Sequence, residues 1–260
     1  MTPKTNGGDA ATIGATETSF AIVERLRDEP EGVEITRLAS ELDVSKSTIY
    51  NHLQTLRKLG YVRKEGDRYV LGLQFLTLGD QARRRYSLYH FAKQETDELV
   101  ESVGERAQVM VEENGRGIYI YQAKADQGIQ TDSHIGTVVN LHATAVGKAY
   151  LAHLPEDERD ELLSKTLLSE ETPQTVTDRE SLLADLEAVR NRGYAFNDEE
   201  KTMGMRAVGA PISSDEDGSV VGAISVSGPT TRLSGDWYHE EIPEMVTQAA
   251  KVISIRMTYS

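Results

Sequence analysis

The chain has 260 residues, no cysteine, 38% hydrophobic residues and a net charge of −14. Without cysteine there is no disulfide, no thiolate metal site and no cysteine nucleophile. No apolar run approaches the roughly 20 residues of a membrane span, so no membrane partner is expected.

The N-terminal residues 1–17 are polar, rich in Gly and Thr, and lack the apolar core of a secretory signal. They read as a flexible arm on a soluble, cytoplasmic protein. Thr18 or Ser19 can cap a first helix bearing Phe20, Ile22, Val23 and Leu26, and Pro30 with Gly32 ends it. A second helix begins near Ile35, with Ile35, Leu38, Ala39 and Leu42 on one face. Asp43-Val44-Ser45 makes a short turn. A third helix runs from about Lys46 to Leu59, capped by Ser45, with Ile49, Leu53 and Leu56 inward and Gly60 as its stop. Tyr61–Lys64 and Arg68–Leu71 then form a hairpin joined by Glu65-Gly66-Asp67. Helix, helix, tight turn, helix, hairpin is the order of a winged helix-turn-helix, assigned to residues 18–80.

Residues 72–80 read as a connection, and a helix within 81–104 links it to the rest. Its alternatives are a free linker or a dimer seam, although Leu88, Phe91, Leu99 and Val103 are too loosely spaced for a sustained heptad. Residues 105–260 are mixed. Strands are expected at 107–111, 117–123, 128–131, 194–196, 206–212 and 220–228, and helices at 143–154, 157–164, 178–191 and 241–255. Alternating elements around a mainly antiparallel sheet suit an α+β ligand-binding domain.

The charge is unevenly distributed. Residues 20–75 hold nine basic and nine acidic residues, whereas 81–260 hold 18 basic and 30 acidic. The stretch 44–64 has five basic residues and no acidic one. With Ile49, Leu53 and Leu56 inward, Ser47, Tyr50, Asn51 and Gln54 face outward on the part of the third helix that enters a major groove. Asn and Gln pair bidentately with adenine, and Tyr50 can pack on sugar or a thymine methyl. Ser45, Ser47 and Thr48 sit where helix amides favour a phosphate oxygen. Lys46, Arg57 and Lys58 suit the DNA backbone, and Arg63, Lys64 and Arg68 on the wing suit phosphate or the minor groove. The competing reading is a solvated helix serving protein or RNA contacts. His52 borders the buried stripe and reads as a packing residue. Ten lysines against 42 acidic residues suggest a high-salt cytoplasm, such as that of a halophilic archaeon.

Four blocks extend this reading: ITRLASELDVSKSTIYNHLQTLRKLGYVRKEGDRYVLG, LHATAVGKAYLAHLP (141–155), RNRGYAFNDEEKTMGMRAVGAPI (190–212) and GSVVGAISVSGPTTRL (218–233). In this order the chain resembles IclR-family transcription regulators over nearly its whole length. The resemblance implies an N-terminal winged helix-turn-helix, a linker helix and a C-terminal GAF-like α/β effector-binding domain. It also implies dimers, often paired into tetramers, repressing or activating in response to organic acids, aromatic acids or sugar-derived metabolites.

The resemblance further implies an effector pocket. The amides of Ala145 and Val146 would face an anion, with Thr144 as cap and Gly147 allowing close packing. Gly147-Lys148 otherwise reads as a packed helix with an exposed lysine, and it lacks the upstream glycine of a phosphate loop. Asn197, Met205 and Ala207 match pocket positions, as do Ser225 and Ser227. The two serines alternate to one face of a strand. By periodicity alone they could equally face solvent, with Ile224 and Val226 buried. Some acid-binding members have an acid where Asn197 stands and a thiol where Ala207 stands. Asp198-Glu199-Glu200 reads as part loop and part pocket rim. No GxSxG, HExxH or dinucleotide loop occurs, and the six histidines lack ligand spacing. Neither an enzyme, a metal sensor nor a cofactor is expected.

Overall fold

The computed structural model describes residues 11–125, 133–214 and 218–258. Contacts divide the chain into two compact units, Met1–Ala82 and Arg83–Ser260.

In the first unit α1 (Gly14–Asp28), α2 (Ile35–Glu41) and α3 (Lys46–Lys58) enclose Ile22, Leu26, Leu38, Ile49 and Leu53. Strands β2 (Val62–Glu65) and β3 (Arg68–Leu71) add Val62 and Tyr69 to that core. A short β1 (Val33–Glu34), not expected from sequence, pairs with β3 to give the order β1-β3-β2. The turn between α2 and α3 places Asp43 at φ 52°, a conformation that Asp tolerates better than most residues.

Two expectations are corrected here. The first helix begins at Gly14, so residues 14–17 of the expected arm are helical. Thr18 donates to the Gly14 carbonyl and Ser19 bonds the His52 ring, so neither is a cap. Good cap residues are not caps when the helix continues upstream of them. The expected connection 72–80 is mostly helix: α4 (Gln74–Arg84) precedes a break and then α5 (Ser87–Val103). The linker region is therefore two helices.

The second unit is built on a six-stranded sheet with the order β6-β5-β4-β9-β8-β7, every neighbour antiparallel. The strands are β4 (Arg106–Glu113), β5 (Arg116–Lys124), β6 (Val138–Val139), β7 (Ala195–Asp198), β8 (Met205–Ser213) and β9 (Val220–Pro229). β6 was not anticipated. The strand expected at 128–131 lies outside the described residues. One sheet face carries Ala107, Val109, Val208, Ala210, Ile224 and Val226 against α5 and α9 (Ile242–Thr258). The opposite side holds a second core built on α6 (Ala145–His153), α7 (Glu156–Ser164) and α8 (Arg179–Arg192). Because successive strand residues alternate between faces, residues flanking the first set point toward α6.

Candidate functional site

The first site is the outer surface of α3. Ser45 caps the helix, its Oγ accepting from the Thr48 amide at 3.1 Å. The hydroxyls of Ser47 and Thr48 each lie 2.9 Å from that oxygen, so three hydroxyls crowd the helix start. Ile49 and Leu53 are fully buried, and Leu56 is partly buried. Tyr50 is 49% exposed, Asn51 is exposed and Gln54 is half-buried. Lys46, Arg57 and Lys58 are exposed. On the wing, Arg63 is 3.3 Å from Glu65, Lys64 lies over the Tyr69 ring and Arg68 donates to the Glu31 carbonyl. The His52 ring meets Ser19 Oγ at 2.8 Å, tying α3 to α1. That is a packing contact.

The second site is a cavity of about 520 Å³ between α6 and the sheet. It is built from cross-strand rows. Arg106, Ser227, Ala207 and Asn197 face one another in register across β4, β9, β8 and β7. Gln108, Ser225 and Gly209 form the next row. The α6 N-terminus rests on Gly209: a Cβ there would lie 2.6 Å from the Ala145 carbonyl carbon and 2.8 Å from the Val146 nitrogen. Gly147 likewise lies so close to Leu141 that a Cβ would meet its carbonyl oxygen at 2.1 Å. Thr144 Oγ1 accepts from the Gly147 amide at 3.1 Å, and the Lys148 amide bonds the Thr144 carbonyl. The amides of Ala145 and Val146, in the first turn, have no intrahelical carbonyl to meet, and both residues line the cavity.

All seven pocket residues expected from sequence meet there: Ala145, Val146, Asn197, Met205, Ala207, Ser225 and Ser227. Asn197 is buried and its Nδ2 donates to the Ala143 carbonyl at 2.7 Å. Its amide therefore braces the segment leading into α6. Ser225 is 3% exposed, which removes the solvent-face alternative. Ile224 and Val226 are buried as well, in the core on the other side. Both faces of this strand are covered, which is why alternation alone could not assign them.

Sequence reasoning missed Arg106, Gln108, Tyr119 and Lys201, which also line the cavity. Arg106 and Gln108 are buried polar residues two apart on β4. The expected strand began at Ala107, one residue too late to include Arg106. Polar residues alternating within a buried strand were the available signal. Gln108 Nε2 donates to Ser133 at 2.7 Å and to Gln122 at 3.0 Å, while Ser227 donates to Gln108 Oε1 at 3.4 Å. Burial pulls the Arg106 guanidinium below its ordinary pKa, with Tyr119 and Glu105 opposing. Lys201 lies 3.4 Å from Glu171, and Arg206 grips Asp198 at 2.7 and 3.1 Å.

Lys148 is not the exposed lysine expected. Its side chain is buried, with Nζ 2.7 Å from Glu200 Oε1 and 2.8 Å from Asp185 Oδ2. Glu200 is correspondingly buried, and Thr175 Oγ1 donates to its carbonyl at 2.6 Å. Burial raises the Glu200 pKa while Lys148 pulls it back. This cluster joins α6, α8 and the loop after β7, which carries Lys201 and Thr202 to the cavity. Among the described residues no group of His, Asp and Glu could hold a metal, and no helix is long and apolar enough to cross a membrane.

Comparison with known proteins covers both units. Residues 15–66 match the IclR helix-turn-helix domain, and residues 81–255 match the bacterial transcriptional regulator IclR C-terminal domain. A probable HTH-type transcriptional regulator, ArcR of Halobacterium salinarum, is 34% identical over 97% of each chain. The crystal structure of the Thermotoga maritima IclR superposes with a TM-score of 0.82 at 30% identity, covering 95% of this chain and all of that one. An IclR homologue from Microbacterium hydrocarbonoxydans, complexed with 4-hydroxybenzoate, shares the fold at a TM-score of 0.77 and 21% identity, covering 93% of this chain and all of that one.

Proposed function

The chain belongs to the IclR family of transcriptional regulators, and from that premise we propose that α3 reads a DNA operator while the cavity beneath α6 takes a small organic or sugar-derived acid. The observation that carries the acid reading is the pairing, in one cavity, of the Ala145 and Val146 amides with the buried cation Arg106. The helix-start amides and the desolvated guanidinium each favour an anionic group. The 4-hydroxybenzoate carried by the Microbacterium homologue is a small acid too.

For the operator, Ser47, Tyr50, Asn51 and Gln54 are the base-edge readers. Ser45, Thr48, Lys46, Arg57, Lys58, Arg63, Lys64 and Arg68 meet phosphate or sugar. What supports this reading is that 44–64 is acid-free. Among the described residues, moreover, neither Asn51 nor Gln54 commits its amide to a protein partner. The working unit is a homodimer, its two reading helices about 34 Å apart on the DNA. Leu73, Leu76 and Leu78, all exposed and close in sequence to an apolar groove lined by Phe20, Leu59 and Phe75, offer apolar surface for that pairing. The protein acts in the cytoplasm without chemical turnover. The excess of acid over lysine suits a high-salt interior.

The acid exerts control through its differential affinity for the DNA-binding and non-binding arrangements. The test is a gel shift on DNA upstream of the protein's own gene, repeated across salt and after a thermal-shift screen of small carboxylates. Selective, salt-sensitive binding altered by a hit is the expected result. Binding to RNA alone, or acids that leave both melting and DNA binding unmoved, would overturn it.

A further inference from the structure

The cavity has a second anchor, and it lies away from the α6 amides. Gly209, on which those amides rest, is on β8, and Arg106 is on β4, with β9 between. Two strand spacings separate the anchoring backbones, about 10 Å. The floor between them is Ser225, Ser227 and Gln108, all hydrogen-bonding groups.

Charge sharpens the contrast. In a chain of net charge −14, the described lining of this cavity holds three cations, Arg106, Lys201 and Arg206, and one carboxylate, Glu171. Lys201 neighbours that carboxylate, and Arg206 is held two-pronged by Asp198 outside the lining. Arg106 is 5% exposed. A buried guanidinium is stabilised by an anion, and its five N–H donors allow a ligand oxygen to join whatever protein contacts it keeps. Its planar fork suits carboxylate and phosphate alike.

We infer that Arg106 is the specificity-determining residue of this cavity and that it selects acids with an anionic group at both ends. One carboxylate meets the Ala145 and Val146 amides. The other group, carboxylate or phosphate, meets the guanidinium, and hydroxyls along the chain meet Ser225, Ser227 and Gln108. The inference rests on reading the cavity as an acid site.

The test uses the full chain and calorimetric titration with matched acids: hexanoate against adipate, gluconate against galactarate, and 6-phosphogluconate. At least one two-ended acid is expected to bind tenfold or more tightly than its one-ended partner. Adipate or galactarate and 6-phosphogluconate distinguish a carboxylate from a phosphate at the second end. Arg106→Gln is expected to level the pair, removing the tenfold advantage of the two-ended acid. Arg106→Lys, which keeps the charge and loses the fork, is expected to retain part of the preference, and it carries the test if Arg106→Gln fails to fold. Equal wild-type affinity for one- and two-ended acids would overturn the inference, as would a variant that weakens both equally. If no acid binds the wild type at all, the acid reading of the cavity has itself failed, a result distinct from binding without two-ended preference.

Discussion

The two units place their polar residues in opposite environments. On α3, Tyr50 and Asn51 are exposed, and the helix beneath them is fixed by a local cap and one apolar stripe. In the sensor unit, Asn197, Ser225, Arg106 and Lys148 are buried, and Asn197 and Lys148 are held by residues remote in sequence. Asn197 reaches back 54 positions to Ala143, and Lys148 reaches forward 52 to Glu200. A solvated recognition surface can change its specificity without changing stability. A buried one cannot, because an orphaned polar group carries its own desolvation cost.

The largest expected effect tests how tightly the sensor is built. Gly209→Val drives a side chain into the Ala145–Val146 backbone and is expected to cost more than about 4 kcal/mol, read as loss of the cooperative unfolding transition. A variant that melts like the wild type would show that α6 can withdraw from the sheet. Next is Lys148→Met, which strands a buried carboxylate. About 3 kcal/mol should be lost in chemical denaturation, and adding Glu200→Gln should restore part of it. Absence of that restoration would mean the pair is not coupled.

On the other side of the comparison, Asn51→Ala is expected to remove about 1–3 kcal/mol of base discrimination with melting unchanged. An unaltered binding-site profile, or a lowered melting temperature, would break the contrast. The smallest effect is with pH. His142 Nε2 faces the Ser169 carbonyl, while Nδ1 is buried without a hydrogen-bond partner among the described residues, and burial holds the ring's pKa below its ordinary value near 6.5. The unfolded chain therefore takes the proton first. Stability is level above that value and falls as pH drops through it toward the folded pKa. His153 shifts the same way. Melting from pH 8 to 5 should show the decline, and His142→Gln should reduce it. Stability that rises on acidification would contradict the burial argument.

The same division governs how much could be read from sequence. The core stripe of α3, its Ser45 cap and the hairpin follow from spacings of a few residues, and they are legible. The Thr18 and Ser19 caps misled because capping preference does not say whether a helix has already begun. β1 and β6, two residues each, carry too little pattern to detect. In the sensor, the seven pocket positions came from family resemblance rather than from periodicity. Lys148 was misplaced because its partners lie on another helix and in the loop after β7, and nothing in GKAY announces them. Arg106 was lost to a strand boundary drawn one residue late.

That boundary has a mechanical meaning. α5 ends at Val103 and β4 begins at Arg106, leaving Gly104 and Glu105 between them. Gly104 turns at φ 73°, and the Glu105 carboxylate is gripped through both oxygens by Arg232. At 3.8 Å per residue the chain has almost no slack between the cavity's cation and the foot of a 17-residue helix. At the other end of that helix, two residues separate Ser87 from Arg84, the last residue of α4. Within this unit a shift of Arg106 is thus felt at the end of α5 after only two intervening residues.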